Sequence, residues 1–191
     1  MEQMDNETST VDANQDVARI ELYLGKLFEP QHVVELRCLG PNRPVSGFFD
    51  DHKALAAHAM AAQQEGYACY FGLAPRNPKT CTPDNELGGK AGKNEDVVRR
   101  RWLLVDVDPC RPGNCCSTKG EKAAAKAVLK AVITWLCRDQ GWPRPLLADS
   151  GNGWHALFRI DLPPDDGKVV ERILHTLAQR FDTQDAKIDT V

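Results

Sequence analysis

The chain has 191 residues, with 24 Lys+Arg against 27 Asp+Glu and a net charge of −3. Hydrophobic residues make up 42% of it, enough apolar mass for a packed core and too much for disorder along the whole length. The charge balance excludes a histone-like basic coat, the polar, acidic start MEQMDNETSTVDANQD reads as neither signal nor transit peptide, and no apolar run approaches the ~20 residues of a membrane helix.

Residues 1–13 carry no periodicity and read as a disordered tail. Val17, Ile20, Leu24 and Leu27 then recur at helical spacing, and Pro30 closes that helix. HVVELRCL (32–39) is rich in β-branched residues and predicts a strand, PNRPVSG a turn. Asp50 or Asp51 can cap a second helix that runs to about Gln64 and stops at Gly66, and YACYFGL (67–73) predicts a second strand. Residues 74–100 form a long, flexible Pro/Gly/Asn/Lys loop that ends in the basic run Arg99, Arg100, Arg101.

The second half is more regular. RWLLVDVD (101–108) predicts a strand ending in acids. Thr118 and Glu121 form a capping box opening a helix that ends at Gly141. PLLADS (145–150) and WHALFRIDL (154–162) are strands joined by the tight turn GNG. A helix with Val169, Val170, Ile173, Leu174 and Leu177 on its apolar face follows, then a final strand, AKIDTV (186–191). This order predicts an α+β chain: a ferredoxin/RRM-like βαββαβ catalytic module over 101–191, with an N-terminal αβαβ module over 14–100 packed on its open face.

Seven cysteines, an odd number without a secretion signal, point to a reducing, cytoplasmic setting. Cys110, Cys115 and Cys116 cluster and could join Cys81 around zinc, but the spacing is not that of a zinc ribbon and no histidine lies near, so no structural zinc is favoured.

Side chains alternate along a strand, so Asp106 and Asp108 share one face, as do His155 and Arg159, and Lys187 and Asp189. In a ferredoxin-like sheet the first strand lies between the third and fourth and antiparallel to both. Asp106, Asp108, His155 and Asp189 then converge at one end. Carboxylates so gathered repel unless a cation sits among them, and Mg2+ or Mn2+ fits oxygen ligands. An Asp-x-Asp on a strand with a remote third Asp is the layout of two-metal phosphoryl transfer, with Asp106, Asp108 and Asp189 as both catalytic groups and metal ligands. A strand end with solvated acids is the plain alternative. In SGNGWH, Gly151 and Gly153 flank Asn152 and let backbone amides face an anion, and Ser150, Asn152 and His155 can donate to phosphate oxygens; an ordinary hairpin turn is the alternative. Arg76 and Asn77 follow a strand end and could reach the nucleotide. Arg99, Arg100 and Arg101 could contact nucleic-acid phosphates, and Lys90 and Lys93 could face DNA.

LLVDVDP, LLADSGNGWHALFRIDLP and KIDTV, in that order, resemble the three motifs of the archaeo-eukaryotic primase superfamily. The likeness is closest to the primase–polymerase (RepB-like) domains of phage, plasmid and other mobile-element replication proteins, and FDDHKAL and YFGLAPRNP are similar to the N-terminal part of those domains. The resemblance covers about residues 15–191. It implies an Asp-x-Asp first motif at Asp106 and Asp108, a second motif at Ser150, Gly151, Gly153 and His155 that contacts the incoming triphosphate, and a third-motif Asp at Asp189. Relatives continue with further strands, whereas this chain ends two residues after Asp189, as if truncated just after the third motif.

The expected function is therefore a DNA primase/polymerase catalytic domain, a nucleotidyltransferase. Its partners would be a single-stranded DNA template, dNTP or NTP and a helicase, with no membrane. Two alternatives stand beside it: a non-catalytic replication-initiator or nucleotide-binding module that keeps the fold, and a sugar-nucleotide transferase using the DVD pair.

Overall fold

The computed structural model describes residues 3–40, 42–112 and 115–190, with side chains from residue 15 onward. Met1 and Glu2 of the expected tail, Pro41 of the expected turn, Gly113 and Asn114 of the cysteine-rich loop and Val191 of the last expected strand lie outside the described residues. The fold is mixed α+β and divides into two compact units, Met1–Arg100 and Arg101–Val191. No helix among the described residues is long and apolar enough to cross a membrane.

The first unit runs α1 (Gln3–Leu27), β1 (Val34–Leu39), β2 (Val45–Phe49), α2 (His52–Gln64), β3 (Ala68–Phe71) and one 3-10 turn (Asn94–Asp96). Its strands are ordered β2-β1-β3, each pair antiparallel. Alternation on β1 buries Val34, Leu36 and Cys38 with Leu24, Phe28, Phe49 and Leu55, and leaves Arg37 and Leu39 exposed. Asp51 caps α2, its Oδ1 accepting from the amides of Lys53 (2.8 Å) and Ala54 (3.1 Å).

Two elements differ from the sequence reading. The first helix reaches back to Gln3, through the segment expected to be a tail, although its apolar stripe begins only at Val17. Of the PNRPVSG segment, only Asn42, Arg43 and Pro44 lie outside a strand among the described residues. Val45 opens β2, which pairs Ser46 with Arg37 and Val45 with Cys38, so the unit is α-β-β-α-β rather than α-β-α-β. Gly47 hides this strand from a propensity reading, yet glycine is needed there because a Cβ would land on the backbone carbonyl of Glu86.

The long loop after β3 is fastened to its own unit. Asn85, at φ 60°, accepts from the Asp50 and Asp51 amides (both 3.1 Å), and single bridges join Val33 to Arg76, Arg76 to Val97 and Ser46 to Gly89.

The second unit runs β4 (Arg100–Pro109), α3 (Lys119–Thr134) with a following π-turn (Trp135–Asp139), β5 (Leu146–Asp149), β6 (Trp154–Leu162), α4 (Val169–Phe181) and β7 (Ala186–Ile188). The sheet order is β5-β6-β4-β7. Leu103, Val105 and Val107 of β4 and Ala156 and Phe158 of β6 are buried under α3 and α4, among Val128, Leu129, Val132, Leu174 and Leu177. Trp102, Leu104, Asp106 and Asp108 therefore lie on the opposite face of β4. The capping box at the start of α3 is complete: Glu121 N donates to Thr118 Oγ1 (3.2 Å) and Thr118 N to Glu121 Oε2 (2.7 Å).

Candidate functional site

The acids of β4 lie at the C-terminal end of that strand, beside β6 and β7. The register Val107↔Ile188 and Asp108↔Lys187, carried one residue on, sets Asp189 opposite Asp106, and the Asp189 amide donates to the Asp106 carbonyl (2.9 Å). Residues opposed on antiparallel strands share a face. Asp106 and Asp189 thus occupy one row and Asp108 and Lys187 the next. His155, near the start of β6, brings its Nε2 to 3.2 Å from Asp106 Oδ1, with less than a third of each side chain exposed. That oxygen is buried and accepts no well-aligned hydrogen bond, so the imidazole answers its charge.

The electrostatics follow from this crowding. Partial burial, then the neighbouring Asp106 and Asp189 charges, raise the Asp108 carboxyl above the usual carboxylate range, while Arg111 and His155 pull it back. The contact with Asp106 raises His155 above the ordinary imidazole value against the opposing effect of burial, with the Asp106 and Asp108 charges helping.

The turn between β5 and β6 rests on the same strand end. A Cβ on Gly153 would land on the Val107 carbonyl oxygen and Asp108 Oδ1 and lie 3.2 Å from Asp108 Cα, so the turn's backbone is in close contact with β4. Gly151 takes φ +91° with open space around it. The amides expected to face an anion are used within the turn: Gly151 N donates to Asp149 Oδ1 (2.8 Å) and Gly153 N to Ser150 Oγ (2.8 Å). Asn152 accepts through Oδ1 from Ser117 N (3.1 Å) and through its carbonyl from the Ser117 hydroxyl (2.6 Å), tying the turn to the entry of α3. What the turn can offer an anion is the Ser150 hydroxyl hydrogen and the Asn152 amide hydrogens.

Three cations around this site escaped the sequence reading. The Arg111 charge acts on Asp108 and Glu121, and its guanidinium donates to the Cys115 carbonyl. Lys122 pairs with Asp149 (2.7 Å), lowering that carboxyl, and Lys126 lies 4.2 Å over the Trp154 ring. Lys122 and Lys126 are four residues apart on α3, so helical spacing could have placed them together, but only the fold brings them to Trp154.

The two-metal expectation is corrected here. Among the described residues no three His, Cys, Asp or Glu side chains form a group that could hold a metal ion. Asp106, Asp108 and Asp189 do not supply the ligand set for Mg2+ or Mn2+. Their charges meet His155 beside Asp106 and Arg111 near Asp108 instead.

The remaining predicted residues have local partners. In the first unit Arg76 pairs with the buried Glu35 (2.7 Å) and donates to the Lys93 carbonyl (2.9 Å). Asn77 caps its own turn, with Oδ1 accepting from Lys79 N (3.0 Å). Arg99 is half-buried and Arg100 exposed. In the second unit Arg101 pairs with Asp161 (2.9 Å). Compared with known proteins, the chain matches no family model and no curated protein.

Proposed function

We propose that the second unit is a nucleotide-binding module of the archaeo-eukaryotic primase type, serving the replication of a mobile element as a binding module rather than through metal-dependent transfer. The ferredoxin/RRM-like assignment is supported by the element order β-α-β-β-α-β together with the strand order β5-β6-β4-β7. The observation that carries the nucleotide reading is the seating of Gly153 against Val107 and Asp108 beside the His155–Asp106 pair, which joins the glycine turn and the acidic strand end in one site. In this reading the Ser150 hydroxyl and the His155 imidazolium hold phosphate oxygens, and Arg111 offsets the nearby carboxylates. Transfer from a triphosphate needs its developing charge neutralised, and the corrected metal site removes the usual agent, which favours the binding role.

Calorimetric titration with dATP, ATP and adenosine tests the proposal. Both triphosphates are expected to bind, adenosine is not, and His155→Gln abolishes the heat. Absence of triphosphate binding overturns the reading. A labelled-nucleotide extension assay on primed and unprimed templates is expected to give no product. Product that disappears with Asp106→Ala would replace the binding role with nucleotidyl transfer. Binding of a sugar nucleotide without dATP would point to the transferase alternative.

A further inference from the structure

The outer face of the first unit's sheet carries a second site that the nucleotide reading does not use. Arg37, Arg43 and Lys90 line one pocket of about 360 Å³, together with Ser46, Gly88 and Gly89, and no acidic residue lines it. All three cations are exposed, and none has an ion-pair partner among the described residues. Like charges brought together without a counter-charge raise the local potential and attract an anion. The pocket is built rather than accidental: the Gly88 and Gly89 amides both donate to the Ser46 carbonyl (3.1 and 2.8 Å), which fixes the loop carrying Lys90 on the edge of β2.

The same face presents an aromatic ring. Register sets Ser46, Arg37 and Tyr70 in one row across β2, β1 and β3, and opposed residues share a face. Tyr70 is 57% exposed, and Leu39 beyond it on β1 is exposed as well. A cationic pocket that holds a phosphate, one strand from an uncovered ring that can stack a base, is the combination by which proteins bind single strands without reading sequence. A free phosphate would use the cations and leave the ring idle.

We propose that this face binds single-stranded nucleic acid, with a phosphodiester in the Arg37–Arg43–Lys90 pocket and a base stacked on Tyr70. The inference does not rest on nucleotide binding by the second unit.

The test uses the full chain and a fluorescein-labelled oligothymidine of about 12 nucleotides. Anisotropy is followed at several salt concentrations. The triple change Arg37→Gln, Arg43→Gln, Lys90→Gln is expected to weaken binding about tenfold or more and to reduce the slope of log K against log salt by about 0.7, the share of one phosphate contact. Tyr70→Leu is expected to weaken it by at least about fivefold with the salt slope unchanged. Lys130→Gln, an exposed charge elsewhere, leaves the affinity as it was. An oligonucleotide carrying 5-iodouracil, irradiated in the complex, is expected to crosslink to the peptide that contains Tyr70. Far-UV circular dichroism confirms that each variant is folded.

Unchanged affinity in the triple variant, crosslinks confined to other peptides, or no binding at all overturns the proposal. Competition by inorganic phosphate at concentrations equal to those of strand phosphate would show a phosphate site only, and would overturn the strand assignment. Failure here leaves the triphosphate titration of the second unit untouched, and the reverse also holds.

Discussion

Replacing Gly153 by Ala is the sharpest perturbation of the second unit. The added methyl would land on the Val107 carbonyl oxygen and Asp108 Oδ1, with Asp108 Cα at 3.2 Å. Two of these atoms are backbone of a central strand, so the turn must lift off β4 rather than wait for a side chain to move. Overpacking of this kind costs about 1–3 kcal/mol. All four tryptophans, Trp102, Trp135, Trp142 and Trp154, belong to the second unit, so tryptophan fluorescence in urea reports its unfolding alone. With a slope of about 1–3 kcal/mol per molar urea, the midpoint should fall by roughly 0.5–1.5 M. Gly151→Ala should also destabilise, by about 1–2 kcal/mol, but for another reason: the residue sits at φ +91° with nothing near its Cβ. Asn tolerates that conformation better than Ala does, so Gly151→Asn should recover part of the loss, while Gly153→Asn should be at least as harmful as Gly153→Ala. A Gly153→Ala midpoint equal to the parent's, or rescue by Asn at 153, would refute the close seating of the turn on β4.

Other outcomes follow from the same geometry. The His155 imidazole should titrate above the free-histidine range by NMR, and Asp106→Asn should move that titration down. Because the folded value is raised, stability from this pair is fully present below the unfolded pKa of about 6.5 and is lost as pH rises through the folded value; a pair contribution that grows with pH over that window would contradict the assignment. Arg76→Gln leaves Glu35, 5% exposed, without its cation and should cost the first unit about 3–5 kcal/mol, read as a lower-temperature transition by circular dichroism. If the first-unit transition holds its temperature, the ion pair is not structural. Millimolar Mg2+ or Mn2+ without nucleotide should leave the tryptophan-detected melting temperature unchanged, whereas a rise that saturates would restore a metal site on the carboxylates.

The second unit was legible in sequence because β4 alternates along its length and α3 opens on a Thr118–Glu121 capping box. Leu103, Val105 and Val107 are buried while Asp106 and Asp108 lie on the other face, as period-two reading expects. The first unit was less so. Val45–Phe49 follows two prolines and contains Gly47, whose value lies in a tertiary contact with Glu86 that no local propensity encodes. The helix over 3–16 has no apolar stripe to betray it. The Arg76–Glu35 pair leaves a trace in sequence, because Glu35, an acid inside the apolar run HVVELRCL, signals a buried carboxylate in need of a cation, but which cation answers it depends on the loop after β3. The acids could be placed at one strand end from alternation and topology. Their failure to form a metal-ligand group could not, because the cation that acts on Asp108, Arg111, lies in a loop without periodicity.

If the glycine turn and the His155–Asp106 pair form one site for nucleotide phosphates, amide-resolved NMR of the full chain during titration with ATP reads it residue by residue. The largest shift changes should fall on residues 150–155 and on Arg111, and the His155 titration should move upward as phosphate binds. Shifts confined to other segments, with residues 150–155 unmoved at saturation, would contradict it.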